Sequence, residues 1–226
     1  MSFSIIPGVF LIILVILSGV DDPVSKQEKK SFINKQLFSS KKPIGMLDQK
    51  ESDQKTIYNY ITSKFKKVSI DDAKNIAEDL VNYGKKHNVD PKFAAAVIAR
   101  ESGFKKDAVS VTGAKGLGQI KDFNYKDLKI NDPFNINQNV NGTIKYLKKM
   151  IKKWNENNDQ VVVEKGGHQQ GSKKKLVDKK DHLKLALASY YKGFTAVKQT
   201  GVDQKTQKYI EDILDYYQEI SNSEER

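Results

Sequence analysis

The chain has 226 residues, enough for one domain of about 150 residues with appendages. It holds no cysteine, which excludes disulfides, thiolate metal sites and a lipid-modified cysteine anchor. Its formal net charge of +11 favours acidic surfaces, but the lysines are scattered over several segments and no nucleic-acid-binding motif is visible, so nucleic acid is set aside as a partner.

Residues 5–20 carry no charge and read as an export signal or a short N-terminal membrane anchor, with 1–20 as the unit. The run falls short of the roughly 20 apolar residues of a comfortable span, and no Lys or Arg precedes it. Both the cleaved and the anchored reading stand. Residues 21–55 are polar, rich in Lys, Ser and Asp, and without sustained periodicity, so they are expected to form a linker. The folded part is expected over 56–222, opening with a helix from Thr56-Ile57-Tyr58 through Phe65. A second helix is predicted from about Asp71 to Lys86, with Ala73, Ile76, Ala77, Leu80 and Val81 on its packed face.

The next helix is marked at both ends. Asp90 can cap it, Pro91 fits its first turn, and Gly103 comes just after its last residues. Between them the apolar run Ala94 to Ala99 leads to Arg100-Glu101-Ser102. At helical spacing Glu101 lies over Val97 and Ile98, so its carboxylate shares the packed face. Desolvation, helped by the negative end of the helix dipole, is expected to raise its pKa into the range of a general acid. By position alone, an exposed terminal glutamate is the plainer reading.

The residues C-terminal to this helix change the balance. Ala108-Val109-Ser110 and Gly113-Ala114-Lys115-Gly116-Leu117-Gly118-Gln119-Ile120 form a glycine-rich loop, expected to let backbone amides and a polar side chain approach a bulky ligand. It has neither the GxxxxGK[ST] nor the GxGxxG pattern of a phosphate cradle. Beyond it come Asn131-Asp132-Pro133-Phe134-Asn135-Ile136, then Gly142 and Tyr146-Leu147. The segment 155–182 includes Val161-Val162-Val163, readable as a short strand of a hairpin or as a surface loop, and a lysine run at 173–175. His168 and His182 are too isolated to be argued as metal ligands, and Trp154 reads as core. Leu185 to Gly193 and Thr206 to Tyr209 complete the pattern.

Taken together, these runs resemble the catalytic domain of the soluble lytic transglycosylases, lysozyme-like enzymes that cleave peptidoglycan. In that family a Glu-Ser pair ends a buried helix, a Ser stands in the loop after it, and Gly-Leu-Met-Gln comes next; Glu101-Ser102, Ser110 and Gly116-Leu117-Gly118-Gln119 occupy those places. Residues 131–136 resemble its Asp-Pro-x-x-Asn-Ile run, Tyr190-Tyr191-Lys192-Gly193 its Tyr-Asn-x-Gly, and Thr206 to Tyr209 its closing Thr-x-x-Tyr. The resemblance implies a mainly α, goose-type-lysozyme-like single domain with an insertion at 155–182, acting on peptidoglycan glycan strands in the cell envelope without cofactor or metal. It implies Glu101 as the catalytic acid, with Tyr190 orienting it through its hydroxyl, and Ser102, Ser110, Gln119, Tyr190 and Tyr209 as substrate-binding residues. Tethered members often serve envelope-spanning machines such as flagella or secretion systems, which makes a protein partner and membrane attachment through the N-terminus further expectations. Two positions depart: Gly118 stands where Met is usual, removing an apolar side chain expected to line the sugar cleft, and Tyr191 replaces Asn. A water-delivering hydrolase and a non-catalytic wall-binding subunit are the alternatives.

Overall fold

The computed structural model describes residues 46–156 and 179–223. Eight helices are described: α1 (Met46–Lys64), α2 (Ile70–His87), α3 (Pro91–Ser102), α4 (Tyr125–Leu128), α5 (Ile136–Glu156), α6 (Lys179–Lys192), α7 (Phe194–Thr200) and α8 (Gln204–Asn222). A 3-10 turn, Asp122–Asn124, leads into α4. The described part is therefore mainly α, as expected. The uncharged run, most of the linker and the valine run of the insertion lie outside the described residues.

α3 is the hub. Residues 92–99 are all buried, which a helix tolerates only when neighbours cover every side. α1, α2, α5 and α8 supply that cover. Its start is fixed by Asp90, whose Oδ1 accepts the amides of Lys92 (2.8 Å) and Phe93 (3.3 Å) while Oδ2 accepts the Tyr217 hydroxyl of α8 (2.8 Å). Its end is fixed by Gly103 at φ +58, whose N–H returns to Ala99 O. The predicted core face of α2 is buried at all five named positions. Ser69 caps α2, and Asn88, in the left-handed region at φ +52, closes it.

The expected linker boundary needs correction. α1 begins at Met46, inside the stretch read as linker, and Asp53 forms an ion pair with Lys92 of α3 at 3.2 Å, with both side chains nearly covered. The early turns of α1 carry no sustained apolar period, so periodicity misses them; the Asp53–Lys92 pair ties α1 to the hub.

α5 packs between α2 and α6 through Val140, Ile144, Leu147, Met150 and Trp154. Trp154 is core, its indole N–H donating to Ser189 Oγ at 2.8 Å. Between α3 and the 3-10 turn before α4 the chain forms a loop without strands, pinned by two isolated antiparallel bridges, Val109 with Lys115 and Lys115 with Ile120. This loop and the end of α3 build the site.

Candidate active site

Four of the residues singled out in the sequence come together. Glu101, Ser110, Gln119 and Tyr190 line one open cleft of about 290 Å³. Glu101 reaches it from the last turn of α3, Ser110 and Gln119 from the loop, and Tyr190 from α6.

Glu101 is partly buried, and desolvation pushes its carboxyl up from 4.5 to about 7. Two effects oppose this: a hydrogen bond from the Tyr209 hydroxyl to Oε1 and the positive charge of Arg100. Desolvation outweighs both. A carboxyl that titrates near neutrality is equally able to release and to retake a proton there, the requirement for a group that acts as acid and then as base. Arg100 itself turns away to α8, its Nε donating to Asp212 Oδ2 at 2.9 Å and its guanidinium lying 5.2 Å from the Tyr209 ring centre. That contact clamps the end of α3 to the helix that supplies Tyr209.

The tyrosine that orients Glu101 is thus Tyr209, not Tyr190 as expected. Tyr190 donates instead to Gly118 O at 2.8 Å and meets Tyr146 edge-on, ring centres 5.0 Å apart. It forms part of the cleft wall and locks the loop onto α6. Ser102 is a second correction: its hydroxyl turns back to Ile98 O (3.4 Å), and it is not among the cleft-lining residues. It behaves as a polar residue closing a helix. Tyr209 also stays behind the cleft surface, touching Glu101 from the core side.

Replacing Tyr209 by Phe removes a bond that holds the Glu101 pKa down, so that pKa is expected to move above about 7. A proton donor works only while protonated. The limb of kcat/KM that falls with rising pH is therefore expected to shift to higher pH, alongside about a tenfold drop in rate from the loosened carboxylate. A pH–rate profile of Tyr209→Phe beside the wild type checks this, and an unmoved limb refutes the assignment.

The loop is held from within and from α5. Ser110 Oγ accepts the amides of Thr112 (3.3 Å) and Ala114 (3.0 Å), and its proton is available toward the cleft or to Thr112 Oγ1. Gln119 sits in the left-handed region at φ +50, uncommon for a side chain of its size. Its Nε2 holds Gly116 O (2.9 Å) and Ala108 O (3.2 Å), leaving its carbonyl oxygen as the atom for a ligand. Two of the glycines, Gly116 and Gly118, let the loop close onto α5 and the turn before it. A Cβ on Gly116 would meet Asn139 Nδ2 and Pro133 O at 2.2 Å, and one on Gly118 would meet Thr143 Oγ1 at 1.9 Å.

Asn139 is the residue that sequence reasoning missed. It is 1% exposed, accepts the Gly118 N–H at 2.8 Å, and donates to Pro133 O (2.8 Å) and Lys115 O (3.3 Å). One side chain satisfies three backbone groups that the tight loop takes away from water. A polar residue at a core position of the α5 pattern was the available signal. Lys121, Phe123, Tyr146 and Tyr191 also line the cleft. Phe123 and Lys121 lie just past the loop, with no periodicity to mark them.

The family model described as "Transglycosylase SLT domain" matches residues 80–213, more than half of the chain and the whole of the site. The chain belongs to the transglycosylase SLT domain family. A curated relative, the membrane-bound lytic murein transglycosylase F of Desulfosudis oleivorans, is 27% identical over 136 residues, which make up 57% of this chain and 26% of the relative. The matched region is thus about a quarter of that relative's length. Among solved structures, an inactive mutant of the lytic transglycosylase Slt from Pseudomonas aeruginosa aligns with a TM-score of 0.47 at 20% identity, covering 63% of this chain and 23% of that one. Every SLT motif quoted from the sequence after Asp71 falls within or beside the matched range.

Proposed function

We propose that the domain is a peptidoglycan lytic transglycosylase, cleaving the β-1,4 bond between N-acetylmuramic acid and N-acetylglucosamine with formation of a 1,6-anhydromuramic end. The observation that carries this reading is Glu101: a carboxyl buried until it titrates near 7, gripped by Tyr209, and facing an open cleft in a chain of the SLT family.

The chemistry needs one carboxyl, whereas most glycosidases use two. Protonated Glu101 gives its proton to the glycosidic oxygen as the C1–O bond breaks, so that the N-acetylglucosamine side leaves as an alcohol. The resulting carboxylate then takes the proton of the muramyl C6 hydroxyl while that oxygen bonds to C1 of the same sugar. The proton count closes on Glu101 without water. Because the nucleophile belongs to the sugar under attack, proximity supplies much of what an external water would otherwise require. In this reading Ser110 and Gln119, which line the cleft, hold acetamido or hydroxyl groups of the strand, and Tyr190 forms part of the wall.

An envelope location agrees with the uncharged run at 5–20 and with a relative whose name calls it membrane-bound. Local opening of the wall for an envelope-spanning machine rests on the family resemblance and on the linker ahead of the domain.

The test is mass spectrometry of muropeptides released from purified peptidoglycan by the full chain. Anhydromuropeptides are the expected products. Reducing muramic acid ends would make the enzyme a hydrolase, and binding without any product would make the chain a wall-binding subunit.

A further inference from the structure

Tyr191 is an aromatic residue of the cleft that neither bonds to Glu101 nor holds the loop. Tyr191 comes directly after the buried Tyr190 on α6, yet it does not point simply to solvent: it is 39% exposed, lines the cleft beside Glu101, and stacks on Tyr209 with ring centres 4.6 Å apart and planes 22° from parallel. Tyr209 in turn is fixed by its bond to Glu101 and by the Arg100 guanidinium. The Lys205 ammonium lies 5.9 Å from the Tyr191 ring centre, carried on an exposed side chain.

We propose that Tyr191 is a sugar platform: a glycan residue beside the scissile bond lays its apolar C–H face against this ring, and the stack on Tyr209 ties the position of that sugar to the position of Glu101. Three features favour this over an incidental surface tyrosine. An aromatic ring offers a large apolar face whose two torsions cost little to hold, and here the backing ring has already fixed them. The cleft mixes apolar walls with a few directed polar groups, the usual makeup of a site for a small polar ligand. Phe123, 75% exposed on the same cleft, provides a second apolar wall, so that a pyranose with one polar edge and two apolar faces matches the lining. The ligand class is a β-1,4-linked N-acetylhexosamine oligomer, which deepens the proposed function and rests on it for the identity of the polymer.

The experiment separates binding from chemistry. In Glu101→Gln protein, affinity for a soluble N-acetylglucosamine tetramer is measured by calorimetry for Tyr191 as it stands and for Tyr191→Phe, Tyr191→Leu and Tyr191→Ala. The Leu variant keeps apolar cover on Tyr209 without a flat ring, so it reports even where the Ala variant unfolds. Phe is expected to bind within about twofold of the parent, and Leu and Ala about tenfold more weakly, a change of about 1.4 kcal/mol. In the active background Tyr191→Leu and Tyr191→Ala are expected to raise KM by a similar factor and Tyr191→Phe to leave it within about twofold, with the pH limb of Glu101 unmoved. Equal affinities for Phe, Leu and Ala overturn the proposal. So does a shifted pH limb with unchanged KM, which would make Tyr191 a support for Tyr209 alone. Ring-dependent binding together with reducing-end products would leave the platform standing and remove the transglycosylase reading, and the converse pair of results would do the reverse.

Discussion

Glu101→Gln is expected to release no anhydromuropeptides, a loss of at least two to four orders of magnitude, because an amide accepts the Tyr209 hydrogen bond but has no proton to give the glycosidic oxygen. The same variant carries a second signature, which reports the burial of the carboxyl rather than its chemistry. The folded chain holds the Glu101 proton to about pH 7 against an ordinary value of 4.5, so between those values the folded state binds the proton more tightly than the unfolded state does. The stabilisation linked to this group is complete below about 4.5 and is lost as pH rises through 7. Glutamine has nothing to lose in that window. The melting temperature of Glu101→Gln minus that of the wild type should therefore grow from pH 4 to pH 8, reflecting a burial penalty of at most about 3 kcal/mol for the charged carboxylate. Glycan release and paired thermal scans at the two pH values check the two halves. Residual lytic activity near the wild-type level would transfer the acid role elsewhere, and a pH-independent melting difference would show a carboxylate already well solvated.

The parts of this molecule that obey local rules are legible in the sequence. Asp90, Pro91 and Gly103 announce α3 through capping chemistry, and the 3.6-residue period of Ala73 to Val81 announces α2; both depend on neighbours within a turn or two. Glu101, Ser110 and Gln119 stand out because they lie close to these landmarks. The errors have a common physical source in contacts between elements distant along the chain. Tyr190 and Tyr209 stand on α6 and α8, and which hydroxyl reaches Glu101 is set by how those helices roll against α3, a quantity that residue spacing does not contain. Glycines in a row mark a close approach but not what approaches; here it is Asn139 and Thr143 of α5. The first turns of α1 escape notice because their sequence has no sustained apolar period, while the Asp53–Lys92 pair that joins α1 to α3 spans residues far apart in the chain.

Gly118→Ala is expected to lower stability by about 2–3 kcal/mol and the melting temperature by roughly 5–10 °C, although one methyl group is all it adds. Gly118 is not among the glycines in the left-handed region, so backbone conformation does not bar a side chain there. Space does. The new Cβ would lie 1.9 Å from Thr143 Oγ1, 2.9 Å from Thr143 Cβ and 2.9 Å from the Tyr190 hydroxyl, while the Gly118 amide and carbonyl are already held by Asn139 and Tyr190. The loop has no free direction in which to retreat without breaking one of those bonds. Methionine, the residue the family usually carries here, shares the same first carbon, so its flexible end gives no relief and Gly118→Met should lose as much or more. This also revises the meaning of the departure: a side chain at 118 on this backbone points into α5 and Tyr190 rather than into the cleft, and the glycine is the partner of Thr143, not a missing wall. Thr143→Ala in the same chain removes the nearest atom but leaves the two contacts at 2.9 Å, so it should restore about half of the loss, a coupling of about 1 kcal/mol in a double-mutant cycle read by denaturant unfolding. Strictly additive losses would mean that the loop, not Thr143, yields to the added carbon. Because Tyr190 lines the cleft, the Gly118 variants should also lose turnover, and Thr143→Ala should return activity and stability together.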